Sequence, residues 1–258
     1  MSSTPLITDS HCHFDFEALD PVRDQAMQRA RDLGIGLIIV PGVGAESWPR
    51  VAEVCDRYTE CYPAFGLHPY FIEQHREQDL QTLEHWLKEK RPIAVGECGL
   101  DFFLKDLDPD RQMHFFLAQL ELAQQFDLPV IIHARKSTEQ VIQCLKKFPG
   151  MRGMVHSYSG SFEQAEQLMK LGFYFSFGGA MTYERASRLR KVIARIPLQH
   201  LLLETDAPDQ PGSRHQGEVN EPAYIDEVIE KMAALLNIDQ VKLIEQTTIN
   251  ARQLFGLN

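Results

Sequence analysis

The chain has 258 residues, 44% hydrophobic and 24% charged, an ordinary balance for a globular protein large enough to bury a substantial core. Its net charge of −10 argues against a broad basic face for duplex nucleic acid, but it leaves room for a phosphate substrate where bound cations supply local positive charge. The longest mostly apolar stretch, 33–45, is broken by glycines and a proline and is too short to span a bilayer, no basic-then-apolar leader opens the sequence, and five scattered cysteines lack Cys-x-x-Cys spacing, so a reduced cytoplasmic protein is expected.

Short apolar runs alternate with amphipathic helical stretches along the whole chain. The runs are 6–10, 36–40, 62–67, 93–97, 129–133, 153–156, 173–177 and 201–204. Many are apolar at consecutive positions, as strands buried on both faces are. Between the first two, Val22, Ala26, Ala30 and Leu33 share one helical face, and Gly34 is a stop signal. Asp108-Pro109 opens a long helix carrying Phe115, Phe116, Leu120 and Ala123. Ser161 with Gln164 reads as a capping box, and Thr182 with Arg185 as a weaker helix start. The last ~35 residues are predicted helical from their apolar spacing. Eight βα units in this length match a (β/α)8 TIM barrel in one domain spanning 1–258. A doubly wound sheet would place a Gly-rich loop after the first strand, where residues 9–14 contain no glycine.

In such a barrel the site lies at the C-terminal ends of the strands. The first predicted strand ends in His11 and His13, whose i, i+2 spacing points both imidazoles to one side. Alone, a His-x-His pair is commonplace. The other ends supply Glu97, His133, His156, Glu204 and Asp206. So many carboxylates and imidazoles at one mouth would suffer desolvation and repulsion unless divalent cations bound there. Imidazole and carboxylate donors without thiolates suit Zn²⁺, Mn²⁺, Fe²⁺, Co²⁺ or Ni²⁺, with Mg²⁺ also admissible. Cys12 alternates away from the two histidines and reads as packing, as does Cys98.

The motifs Asp-Ser-His-Cys-His at 9–13, Gly-Leu-His-Pro at 66–69, Gly-Glu-Cys-Gly-Leu-Asp at 96–101 and Leu-Pro-Val-Ile-Ile-His-Ala-Arg at 128–135 occur in order. His-Ser-Tyr-Ser-Gly at 156–160, Glu-Thr-Asp-Ala-Pro at 204–208 and Asn-Glu-Pro at 220–222 complete the set. Together they resemble the TatD family of metal-dependent hydrolases, within the larger group of amidohydrolase-like barrels, and most closely its YjjV-like bacterial branch. The resemblance implies two divalent cations per subunit, Zn²⁺, Mn²⁺ or Mg²⁺. His11, His13 and Asp206 would hold one, His133 and His156 the other, and Glu97 would bridge them. It also implies phosphodiester hydrolysis, with 3′–5′ exodeoxyribonuclease activity in the best-known members. A bridged pair of cations suits phosphoryl displacement, and water bound to such a pair ionises near neutral pH. Asp206 and Glu97 are then the catalytic carboxylates, with Asp206 able to take the proton of the attacking water.

Five further residues are assigned to the substrate pocket. His68 could donate to a phosphate oxygen or leaving group, or simply sit in the turn before Pro69. Arg135 suits phosphate recognition. Glu204 could orient a ligand or a water. Tyr158 could line the pocket, and Asn220 could either cap the segment at Glu221-Pro222 or touch substrate. Two departures from the family pattern concern substrate handling. Val219 stands where many members carry Arg, and Ser157-Tyr158 where many carry Cys-Phe. The expected substrate is therefore DNA or a small phosphoester, with no membrane and no obligate protein partner. The alternative is a small-molecule hydrolase cleaving a lactone, an amide or a phosphoester with the same metals.

Overall fold

The computed structural model describes residues 6–257, and its eight strands all run parallel in the order β1 to β8. They are β1 (Ile7–Asp9), β2 (Ile35–Pro41), β3 (Cys61–Phe65), β4 (Ala94–Asp101), β5 (Val130–Arg135), β6 (Gly153–Val155), β7 (Phe173–Phe177) and β8 (Leu201–Leu203). Each predicted run overlaps one of them. The ring is drawn together where Ser10 N donates to Leu203 O at 2.9 Å and Asp206 N to His11 O at 2.9 Å. Around it lie α1 (Arg23–Leu33), α2 (Trp48–Arg57), α3 (Glu77–Lys90), α4 (Pro109–Gln125), α5 (Thr138–Leu145), α6 (Phe162–Lys170), α7 (Ser187–Ile193) and α8 (Ile225–Leu236). A last helix, α9 (Gln240–Phe255), has another role.

Strand side chains divide by parity, and both sets are buried. Ile39, Ala64, Ala94, Ile131, Met154 and Leu202 form one cluster inside the ring. Ile38, Val40, Phe65, Val95, Val130 and Ile132 belong to a second cluster shared with the surrounding helices. This two-sided burial is why the runs are apolar at consecutive positions. Ala251, Leu254 and Phe255 of α9 complete the inner cluster, so α9 plugs the bottom of the barrel. The chemistry is left to the opposite, C-terminal end.

Caps follow the sequence where they are local. Asp108 accepts from Asp110 N and Arg111 N at the start of α4, and Ser161 and Gln164 exchange reciprocal hydrogen bonds at the start of α6. The predicted start at Thr182 differs. Its hydroxyl instead donates to Gly179 O and accepts from Ser213 N, and two short 3-10 turns precede α7. The distant Ser213 amide thus takes the oxygen a cap would have used.

Strand β4 runs four residues past its predicted end at Glu97. Between Val95 and Cys98 its register against β5 shifts, so three residues of β4 oppose two of β5. This is a β-bulge, a device that re-aims a side chain at sheet rims and active sites. Pairing then resumes through Leu100 with Ala134 and Asp101 with Arg135. Gly99, at φ +136°, allows the close approach, since a Cβ there would fall 2.1 Å from His133 O.

Candidate metal centre

The bulge places the Glu97 carboxylate at the centre of the mouth, 1% exposed. Its two oxygens face two different groups of imidazoles. Oε2 lies 3.1 Å from His11 Nε2 and 3.4 Å from His13 Nε2. Asp206 Oδ1 completes that side, 3.4 Å from His11 Nε2 and 3.7 Å from His13 Nε2. Oε1 lies 3.1 Å from His133 Nδ1, 2.8 Å from His156 Nε2 and 2.8 Å from His68 Nε2. The structure thus brings together the six residues predicted as ligands and adds His68 beside them.

The donor set fits divalent cations. Glu97 Oε2 is buried and accepts no hydrogen bond, although two imidazole nitrogens lie near it. Leaving such an oxygen unpaired costs about 1–3 kcal/mol, more when it is charged, and a shared cation removes that cost. Three groups of donor atoms, His11–His13–Asp206, His11–Glu97–His156 and His68–Glu97–His133, each lie within 4.8 Å of one another. All are nitrogen or oxygen, a mix of imidazole and carboxylate that suits zinc or manganese.

Partners outside the cluster decide which ring nitrogen is bare. His13 Nδ1 donates to Pro41 O at 3.2 Å, so Nε2 presents its lone pair to Glu97 and Asp206. His133 Nε2 donates to Asp101 Oδ2 at 3.0 Å, so Nδ1 is the bare atom. His68 is the reverse case. Its Nδ1 accepts from Tyr70 N at 3.0 Å, so its Nε2 carries the proton and donates to Glu97 Oε1. His68 is therefore a donor aimed into the site rather than a third imidazole ligand.

Among the protein groups alone, burial works against every charge here. Glu97 is nevertheless held well below the usual carboxylate range by the imidazoles of His156, His68 and His11. Burial also opposes charge on His156 and His13, but the neighbouring Glu97 lifts them to about 10 and about 9. Burial dominates at His68, which falls to about 4, and at His11, which falls well below its ordinary value. Positive charge is thus wanted on both sides of Glu97. A cation on either side would take the place of these protons.

The remaining predicted residues separate into mouth and scaffold. A cavity of about 700 Å³ opens above the cluster, and His68, Arg135 and Tyr158 line it. Arg135 is half exposed, with its guanidinium 3.8 Å from the centre of the Phe103 ring. Tyr158 offers only its ring, because its hydroxyl turns away to donate to Ser161 O at 2.6 Å. Glu204 lies beneath the mouth, where it accepts from Ser157 N at 2.8 Å and from the Ser176 hydroxyl. Its other neighbour is His156, whose Nδ1 is 3.8 Å away, and burial pushes its carboxyl up to about 8. Glu204 is in place to orient that imidazole rather than to meet substrate. Asn220 is 2% exposed, and its amide is spent on Thr205 O, Asp209 O and Glu221 N. It staples the loop after β8. The 3-10 turn Pro222–Tyr224 starts from Glu221 with no side-chain cap, so Asn220 neither caps that segment nor faces substrate.

Sequence reasoning overlooked Asp101 and Gln210. Asp101 is a motif residue, but its partnership with His133 depends on β4 continuing beyond the bulge. Gln210 donates to Asp206 Oδ2 from a loop with no motif of its own. Asp206 itself sits at φ +58°, a left-handed conformation that Asp tolerates better than most residues. Its N–H is held by His11 O.

A family model described as "TatD related DNase" matches residues 8–256. The Escherichia coli (strain K12) protein named "uncharacterized metal-dependent hydrolase YjjV" is 41% identical over 253 residues, covering 96% of this chain and 97% of its own. A "3′-5′ ssDNA/RNA exonuclease TatD" from Erwinia tasmaniensis is 32% identical over 247 residues, covering 91% of this chain and 94% of its own. The crystal structure of the E. coli YjjV protein, a TatD homologue, superposes with a TM-score of 0.93 at 39% identity over 98% of both chains.

Proposed function

The chain belongs to the TatD-related family of metal-dependent hydrolases, and on that premise we propose that it cleaves phosphodiester bonds as a 3′–5′ exonuclease on single-stranded DNA. The observation that carries this reading is the division of Glu97, one carboxylate whose two oxygens each face a separate set of nitrogen and oxygen donors. That arrangement suits two cations, one held by His11, His13 and Asp206, the other by His133 and His156, with Glu97 shared. When bound, such a pair supplies Lewis acidity and charge neutralisation at the attacking and leaving oxygens of an in-line displacement. The direction of cleavage follows the Erwinia relative's name.

The chain's own residues do the rest. Asp206, with Oδ2 fixed by Gln210, accepts the proton of the attacking water. His68 directs its Nε2 proton into the site, where a non-bridging or leaving phosphate oxygen can take it in place of Glu97. Arg135, stacked on Phe103, pairs with a phosphate at the rim. Tyr70 and Phe103, both about half exposed, provide flat apolar faces for unpaired bases. The five cysteines are all free, which accords with a reducing compartment, and no described helix is long and apolar enough to cross a membrane.

The test is a substrate panel. Protein reconstituted with Mn²⁺, Zn²⁺ or Mg²⁺ is incubated with 5′-labelled single-stranded DNA and with lactones, amides and phosphoesters, beside the His133→Ala/Asp206→Ala double variant. Stepwise release of mononucleotides from the 3′ end, lost in the variant, is expected. Turnover of small esters alone would assign the site to small-molecule hydrolysis instead. Absence of any bindable divalent cation would remove the basis of the proposal.

A further inference from the structure

A second cavity of about 510 Å³ opens beside the metal-centre mouth, and the two share Ser159, Ala180, Leu189 and Gln210 as common wall. Its far side is formed by Tyr183, Arg185 and Arg188, from the turns that precede and open α7. The surrounding segment is strongly basic. Residues 184–195 carry Arg185, Arg188, Arg190, Lys191 and Arg195 against the single acid Glu184, in a chain whose net charge is −10.

These cations are not equivalent. Arg190 is spent inside the loop, donating to the carbonyls of Met181, Tyr183 and Glu184. The Tyr183 hydroxyl donates to Pro211 O at 3.0 Å, tying the loop after β7 to the loop after β8. Thr182 bridges to Ser213 N at 2.7 Å. The groove wall is therefore pinned at three points. On this fixed wall Arg185 and Arg188 stand exposed, with no hydrogen bond or ion pair among the described residues, and Arg185 lies over the Tyr183 ring at 5.2 Å. Many other arginines here are paired, among them Arg29 with Glu221, Arg31 with Glu60 and Arg214 with Glu230.

Two free guanidiniums and an aromatic ring, in a preformed groove continuous with a hydrolytic mouth, fit repeated phosphates carrying flat bases. Resting on the phosphodiesterase reading above, we propose that the Tyr183–Arg185–Arg188 groove is a second substrate subsite. It holds the phosphates of a single-stranded oligonucleotide beyond the bond being cut, so the protein prefers a strand to a mononucleotide or dinucleotide ester.

Binding is measured with the metal-loaded protein and 5′-fluorescein oligothymidylates of two to ten nucleotides, whose phosphorothioate linkages resist cleavage. Fluorescence anisotropy is followed between 50 and 200 mM salt. Affinity is expected to rise with length beyond a dinucleotide and then level off. For single strands, log Kobs falls with log salt by about 0.7 per phosphate contact, so Arg185→Ala/Arg188→Ala shallows the slope by about 1.4. Equivalently, the fourfold rise in salt weakens the parent about sevenfold more than the variant. Arg185→Lys/Arg188→Lys keeps both charges and most of the slope, which separates charge from any change in the loop. Length-dependent binding with an undiminished slope in the alanine variant would overturn the groove and leave the nuclease reading standing. Binding that does not grow with length in the parent would overturn the groove as well. Failure to bind or cleave any oligonucleotide would overturn both.

Discussion

Replacing Asp101 by Asn tests the metal centre through a residue that is not a proposed ligand itself but holds one, His133. Both Asp101 oxygens are engaged, Oδ2 by His133 Nε2 at 3.0 Å and Oδ1 by Phe103 N at 3.0 Å. An asparagine has one acceptor oxygen and one amide donor. If the oxygen stays with Phe103 N, the NH₂ group meets His133 Nε2, and the imidazole must take the other tautomer to accept from it. The proton then sits on Nδ1, 3.1 Å from Glu97 Oε1, where the bare nitrogen is needed. Losing such a partner typically weakens metal binding about 10–100-fold. At about 1.4 kcal/mol per tenfold, that is roughly 1.4–2.8 kcal/mol. The assay is calorimetric titration of stripped protein with Zn²⁺ or Mn²⁺ against a competing chelator, which resolves two binding events if two ions are held. Asp101→Asn should weaken one event within that range and leave the other nearly unchanged. Equal weakening of both, or no change in either, would refute the link from Asp101 through His133 to one side of Glu97.

Other expectations follow from the same geometry. His11→Ala should first empty the side shared with His13 and Asp206 and leave the His133–His156 side partly occupied, and metal analysis after dialysis reads this directly. Complete loss of both ions would show that the two sides are inseparable. Chelation should lower the melting temperature, since ligand at about 100 times its Kd stabilises the folded state by about 2.7 kcal/mol per site, and calorimetry with and without EDTA checks it. Gln119→Leu should destabilise the fold through the backbone of Leu67, the residue before His68. Gln119 is buried in α4 and satisfies both Leu67 N at 2.7 Å and Leu67 O at 3.1 Å, and each backbone group left unpaired costs about 1–3 kcal/mol. A urea midpoint equal to that of the parent would mean that solvent reaches those groups.

Much of this architecture was legible from local pattern. The eight apolar runs each overlap a strand, because strands buried on two faces leave a short-range signature that needs no knowledge of their neighbours. The caps at Asp108 and Ser161 are equally local, since donor and acceptor lie within three residues. Thr182 failed as a helix start because a residue 31 positions away claimed its hydroxyl. Asn220 had two local readings, a cap and a substrate contact, and the carbonyls of Thr205 and Asp209, distant in the chain, claim its amide for neither.

The sequence by itself determined the alternation that builds the barrel and the chemical types of the donors at its mouth, because both follow from residue identity and periodic spacing. Only the tertiary structure decided how those donors divide. The bulge in β4 turns one carboxylate toward two imidazole groups, Pro41 O and Asp101 leave His13 and His133 a bare nitrogen facing Glu97, and Tyr70 N makes His68 a donor. A ring nitrogen's role depends on what its opposite nitrogen meets. In His13 and His133 those partners lie 28 and 32 residues away along the chain, beyond the reach of any local pattern.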